Sequence, residues 1–208
     1  MTDSGKLAFG LDGGWSIQVA HLFPLGDAVL DSSLLDLATS VPSEAPRIHL
    51  ASPADVPFIV EAIADESRQG HFACDCDRPD VLSGLWHQVQ TVVADGVMPL
   101  PGERDGANGR AFVIQVGQAN AGFAILVEDR PGTWRRRLEL FALGVRPGHR
   151  GRGLGRQLVT NLVRDSQSAC VYARCAFASV GMAGMLKSCG FELGAQSTPG
   201  GMTLELHR

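Results

Sequence analysis

The sequence predicts a mixed α/β fold of the α+β kind, one central sheet flanked by about four helices. Three observations predict it. Some segments repeat apolar residues at i, i+3, i+4 and i+7 while others alternate with period two. The two kinds of segment succeed one another along the chain. Finally, 208 residues, 45% hydrophobic and 19% charged, suffice for one sizeable core but not for two full domains.

In chain order, residues 1–45 hold a strand candidate (Ser16 to Phe23) and a weak helical pattern (Asp27 to Thr39), then the breaker run Val41-Pro42-Ser43-Glu44-Ala45-Pro46. They are read as an N-terminal extension to a domain over residues 46–208. Arg47 to Ala51 is a short strand. Ser52-Pro53-Ala54-Asp55 follows as a capping box with Pro at the first helical position, and Val56, Ile59, Val60 and Ile63 make the apolar stripe of a helix that Gly70 stops. A second helix spans about Asp80 to Ala94, stopped by Gly96, and residues 96–110 read as loop. Phe112, Ile114 and Val116 alternate and, with Gly122 to Val127 across a turn at Gly117 to Asn120, make a hairpin. Past a turn at Arg130-Pro131-Gly132 come a strand (Leu138 to Val145), a glycine-rich loop and a helix (Leu154 to Ser166). A strand (Ala169 to Phe177), a short helix (Val180 to Ser188) and a last hairpin (Phe191 to His207) complete the chain.

Composition narrows the function. The first residues, Met1-Thr2-Asp3-Ser4-Gly5-Lys6, lack the basic and apolar regions of a secretory leader, and no apolar run reaches the roughly 20 residues of a membrane helix. Five cysteines, Cys74, Cys76, Cys170, Cys175 and Cys189, are an odd set that reads as reduced thiols, so the expected location is the cytoplasm. Residues 1–110 carry 16 acidic against 6 basic side chains, and residues 111–208 carry 6 against 12. A basic second half suits a phosphorylated small ligand and an acidic first half a cationic partner, although solvated surface alone gives the same bias. An acidic half also disfavours nucleic acid.

The stretch that carries chemistry is Val145-Arg146-Pro147-Gly148-His149-Arg150-Gly151-Arg152-Gly153-Leu154-Gly155-Arg156, between a strand and a helix. Its glycines admit a ligand close to the backbone, and the unpaired N–H groups opening the helix favour an anion such as a pyrophosphate. A phosphate-binding loop of the ATPase type needs Gly-Lys followed by Ser or Thr, which the chain lacks. The dinucleotide fingerprint fails because Arg156 stands at its third glycine and no acidic residue ends a strand some 20 residues later.

Val145, Pro147, Arg150, Gly151, Gly153 and Gly155 match in order the pattern V-x-P-x-x-R/Q-G-x-G-x-G/A of the GNAT acyltransferase superfamily, which the chain resembles from about Ile48 to Arg208. Cys189-Gly190-Phe191 is similar to the ending of that family's last helix. The resemblance implies a mixed sheet splayed between its fourth and fifth strands and an acyl-CoA co-substrate, acetyl-CoA. Its pantetheine arm would pair with the fourth strand at Leu143, Gly144 and Val145, and its pyrophosphate would sit on Arg150, Gly151, Arg152, Gly153, Leu154, Gly155 and Arg156. It also implies direct transfer to a primary amine, the acceptor wall being the first two helices and the loop Val97 to Arg110. Glu139 stands where many members place a catalytic glutamate. An alkylammonium must lose a proton before attack, costing roughly 4 to 5 kcal/mol at pH 7, so a nearby carboxylate would help. The alternative for Glu139 is a solvent-facing residue paired with Arg135 to Arg137.

The family's last-helix tyrosine would fall at Leu186 and its asparagine at Ser179, and neither matches. The acid that protonates the leaving thiolate is then Tyr172, Ser188 or water. A non-catalytic acyl-CoA-binding module is the competing function. His71, Cys74 and Cys76 are close in sequence, but no second ligand pair of matching spacing accompanies them, so no metal is expected. Cys170, Cys175 and Cys189 read as small core residues. No nucleophile-elbow serine accompanies the six histidines, which leaves a hydrolase triad without support. Neither membrane nor nucleic acid is an expected partner, and a homodimer is left open.

Overall fold

The computed structural model describes residues 45–100, 106–129, 136–166, 170–194 and 201–207. The expected strand at Ser16 to Phe23, the helical pattern at Asp27 to Thr39 and the turn at Arg130 to Gly132 lie outside them.

β1 (Arg47–Leu50) leads through a 3₁₀ turn at Pro53–Asp55 into α1 (Val56–Arg68). The capping box is formed: the Ser52 backbone N–H and hydroxyl donate to Asp55 Oδ2 at 2.9 and 2.8 Å. Burial pushes the Asp55 carboxyl up, but hydrogen bonds from Ser52, Asn120 and His49 outweigh it and hold the group below its ordinary value. α2 (Pro79–Asp95) ends at Gly96 in the left-handed region, φ 69°. The order then runs β2 (Val97–Met98), β3 (Ala107–Val116), β4 (Ala119–Asp129), β5 (Arg137–Val145), α3 (Leu154–Asp165), β6 (Cys170–Ala176), α4 (Val180–Ser188), β7 (Glu192–Leu193) and β8 (Gly201–Leu206).

The loop expected at 96–110 is corrected at both ends. Val97 and Met98 pair antiparallel with Asn108 and Ala107, so β3 starts five residues before Phe112. Asn and Gly are poor strand formers. Pairing and packing override that preference, since a Cβ on Gly109 would press on Val92 of α2 at 3.3 Å.

The sheet order is β1-β3-β4-β5-β6-β8-β7, with β2 on β3. All its pairs are antiparallel except β5–β6, whose parallel run uses α3 as crossover. α1 and α2 cover one face around Ile59, Ile63, Val113, Phe123 and Phe141, and α3 and α4 cover the other around Leu140, Leu143, Leu158 and Leu186. Between Ile125 and Leu126 the β4–β5 register slips past Phe141, which is the extra residue of a β-bulge. Among the described residues no helix is long and apolar enough to cross a membrane.

Candidate active site

β5 pairs with β4 along its whole length, from Arg137↔Asp129 to Val145↔Gly122. With β6 it pairs only at Arg137, Leu138 and Glu139. From Leu140 to Val145 the two strands therefore separate, and β5 turns an unpaired edge of backbone toward the opening. β5 and β6 are the fourth and fifth strands of the sequence reading, β2 being the added one, so the expected splay is present.

The glycine-rich loop closes the top of this opening. Gly151 and Gly153 adopt φ 74° and 76°, where a side chain would be strained, and a Cβ on either would meet nothing within 4 Å. Among the described residues no backbone oxygen accepts from the N–H groups of Gly151, Gly153, Leu154 or Gly155, whereas Gln157 already bonds to Gly153 O at 3.0 Å. These donors, the positive end of α3 and the exposed Arg152 and Arg156 form a cradle for an anion.

A cleft of about 380 Å³ opens there, lined by Val145, Arg150, Gly151, Gly153, Leu154, Gly155 and Arg156 of the expected set. Leu143 is fully buried behind it in the α3/α4 core. Gly144 faces the other way, a Cβ there falling 2.6 Å from Phe123 Cε1. The sequence did not single out His149, Gly184 or Met185, which line the same cleft with Ser188. Gly184 carried a signal: a glycine inside a helix costs roughly 1 kcal/mol against alanine, yet a Cβ there would meet nothing within 4 Å.

Arg150 does not offer its side chain to the cradle. Its Nε donates to Val145 O at 2.8 Å and its terminal nitrogen is ion-paired with Glu66. Glu66 is 4% exposed, and burial pushes its carboxyl above the ordinary value against the pull of Arg150. This clamp ties the end of α1 to the glycine loop. Glu66 borders a second cleft, of about 580 Å³, together with Asp65, Gln69, Gly144 and Arg146. The sequence signal for Glu66 was a carboxylate on the apolar stripe of α1, three residues past Ile63.

Glu139 lies at the last paired rung of β5 and β6. It is 6% exposed, so the solvent-facing alternative is corrected. Arg174 Nε and Nη2 donate to its two oxygens at 2.7 and 2.8 Å, and the Tyr172 hydroxyl donates at 3.1 Å. Both partners come from β6, because residues 172 and 174 share a face. Arg137 instead donates to Glu205 at 3.3 Å and covers the Tyr172 ring at 4.7 Å. Of the acid candidates, Tyr172 thus points at Glu139, while Ser188 donates to Met185 O at 2.6 Å on the rim of the cleft. Leu186 is fully buried, as is Ser179, whose hydroxyl has no partner among the described residues.

The Cys74 and Cys76 sulfurs approach to 3.1 Å in the α1–α2 connection, and burial pushes the Cys74 thiol up to about 12. His71 does not join them in a liganding group among the described residues.

Comparison with known proteins follows the geometry. No curated protein matches the sequence. Solved structures match the fold: an acetyltransferase from Thermus thermophilus (20% identity, TM-score 0.56, covering 77% of this chain and 96% of that one); aminoglycoside N(6')acetyltransferase from Legionella pneumophila (12%, 0.57, 80% and 94%); and spermidine N-acetyltransferase from Vibrio cholerae in complex with CoA and spermine (15%, 0.52, 77% and 92%). The family model for the acetyltransferase (GNAT) family matches residues 80–191, more than half of the chain. That span runs from α2 through the splay and the cradle to the end of α4, and the chain belongs to the acetyltransferase (GNAT) family.

Proposed function

We propose that the protein is an acetyl-CoA-dependent N-acetyltransferase that carries the acetyl group to a primary amine by direct attack in a ternary complex. The observation that carries this reading is the coincidence of the unpaired β5 edge, the cradle of N–H donors and the glycine-lined cleft at one opening. The cradle takes the pyrophosphate, and the backbone of Leu143, Gly144 and Val145 pairs with the pantetheine arm as an added strand would. The thioester then lies along β5 toward Glu139, on the rung where the strands rejoin.

Glu139 takes the ammonium proton, directly or through water. Arg174 holds its carboxylate in place and must yield one oxygen for this to happen. Acceptors acetylated by structural neighbours include spermidine and an aminoglycoside, both amines, which supports a cationic acceptor drawn in by the acidic first half. Residues 46–208 act as the catalytic domain in the cytoplasm, with residues 1–45 as an extension.

A second reading, an acyl-CoA-binding module without turnover, is favoured by the buried Leu186 and by the full engagement of Glu139 with Arg174 and Tyr172. Incubation of acetyl-CoA with a panel of primary amines, read by CoA release and product mass, tests the first. Tight acetyl-CoA binding with no product from any amine would establish the second.

A further inference from the structure

A thiol, an imidazole and a carboxylate meet away from the cleft. Val171 of β6 pairs with Leu206 of β8 and Tyr172 with Glu205, which sets Cys170 opposite His207 and places all three groups on one face of the sheet. Cys170 Sγ is 3.8 Å from His207 Nδ1, and His207 Nε2 is 3.2 Å from Glu205 Oε2. Glu205 Oε1 accepts from Arg137 at 3.3 Å.

The two ring nitrogens therefore serve different neighbours. One ligand atom from each of the three lies within 4.8 Å of the others, near enough for a metal ion, yet the thiol sits at one ring nitrogen and the carboxylate at the other. A ring lying between thiol and carboxylate has instead the order of nucleophile, base and orienting acid. Arg136 and Arg137 stand on the neighbouring β5, where Arg136 O accepts from the Cys170 N–H at 3.1 Å. Glu205 and His207 face Cys170 from β8, Glu192 lies beyond them on β7 opposite Glu205, and Tyr172 is on the same strand. Cys170 is half-buried, so a small reagent reaches it. Cys175, by contrast, is fully buried with its thiol pushed up to about 12, and burial also raises Cys189.

We propose that Cys170 is a nucleophilic thiol site, in which His207, oriented by Glu205, takes the thiol proton and the sulfur forms mixed disulfides with low-molecular-weight disulfides. In the step, the proton of Cys170 passes to His207 Nδ1 and the thiolate forms a bond to one sulfur of the reagent. The reagent's S–S bond breaks, and its other sulfur leaves as a thiolate that takes the proton. Cys170 is oxidised and the released thiol is reduced, so no further oxidant is needed. None of the three residues lines the glycine-loop cleft.

The full-length protein is treated with iodoacetamide and, separately, with oxidised glutathione, and each cysteine is followed by peptide mass spectrometry from about pH 6 to 10. Cys170 is expected to react at pH 7 about tenfold faster than Cys189 and than reduced glutathione. His207→Gln should slow it about tenfold at pH 7 and leave it unchanged near pH 10, where the thiol ionises unaided, and Glu205→Gln should slow it about threefold. Circular dichroism melts of the variants confirm that they fold, His207 being exposed at the end of β8. A Cys170 no faster than glutathione at pH 7, or one indifferent to His207→Gln, overturns the proposal. One equivalent of Zn²⁺ bound at micromolar strength and lost in the Cys170→Ser variant would also overturn it, by making the cluster a metal site.

Discussion

The two ends of β5 are built on opposite plans. At its C-terminal end the strand loses its β6 partner, and the working groups are backbone: an unpaired edge, then N–H donors left open where Gly151 and Gly153 have no side chains. At its N-terminal end the partner is present and the working groups are side chains, Glu139, Tyr172, Arg174 and Arg137, each turned toward another. One end is left unsatisfied and the other is saturated. A ligand site is built by withholding partners, whereas a carboxylate in a nearly closed interior is held in place by supplying them.

The largest expected effect tests the saturated end. Glu139→Gln retains shape and removes the charge, so turnover with a primary amine should fall by about a hundredfold at pH 7 and recover at higher pH as free amine accumulates, with acetyl-CoA affinity unchanged. Equal turnover at neutral pH would mean that the network of Arg174 and Tyr172 is architectural only. The open end should respond to Gly153→Asp, which puts a strained, negatively charged residue into the cradle. Calorimetry should show acetyl-CoA affinity at least about tenfold weaker in a variant that still folds. Unchanged affinity would remove the cradle from the donor site.

The clamp behind the open end gives a smaller effect with a definite sign. Because burial raises the Glu66 carboxyl in the folded chain, the stability it contributes is full below its ordinary value of 4.5 and is lost as pH rises through the raised folded value. Glu66→Gln has no such loss, so the stability difference between the two should move in favour of the variant from about pH 4 to about pH 7. Urea denaturation at several pH values measures it, and parallel curves would show that Arg150 fully compensates the buried charge. The smallest effect pulls two ways. Gly184→Ala should raise helix stability by roughly 0.5 to 1 kcal/mol while narrowing the cleft enough to weaken acetyl-CoA about threefold. A thermal melt and a titration on one sample separate the two, and a gain in both would mean that α4 does not touch the ligand.

The open end was legible in the sequence because its determinants are local. Val145 to Arg156 hold the whole pattern within one strand-to-helix turn, and no distant residue is needed to recognise it. The saturated end was half legible: Glu139 and Tyr172 were both singled out, but their pairing depends on the parallel register of β5 and β6, and Arg174 enters through that register alone. The partnership of Glu66 with Arg150 spans 84 positions, and only the carboxylate on the α1 stripe hinted at it. β2 and the first rungs of β3 were missed because Asn108 and Gly109 disfavour strands and are held there by α2 packing. Cys170 was read as core from residue type, which carries no information about the His207 that β8 brings beside it.

The surplus residue at Phe141 has a consequence for parity. Leu138 and Leu140 face α3 and α4, and strict alternation would send Ala142 the same way; instead Phe141 and Ala142 both face α1 and α2, and Leu143 and Val145 return to the α3/α4 side. The bulge is thus a half-period phase shift written into β5. Removing that one residue would restore strict alternation and leave Ala142 facing α1 and α2 and Leu143 and Val145 facing α3 and α4, whereas losing a residue beyond the bulge, such as Leu143, would exchange the faces of those that follow it. Between the carboxylate and the cradle, the bulge is the joint at which the chain can change its length by one residue and keep its parity.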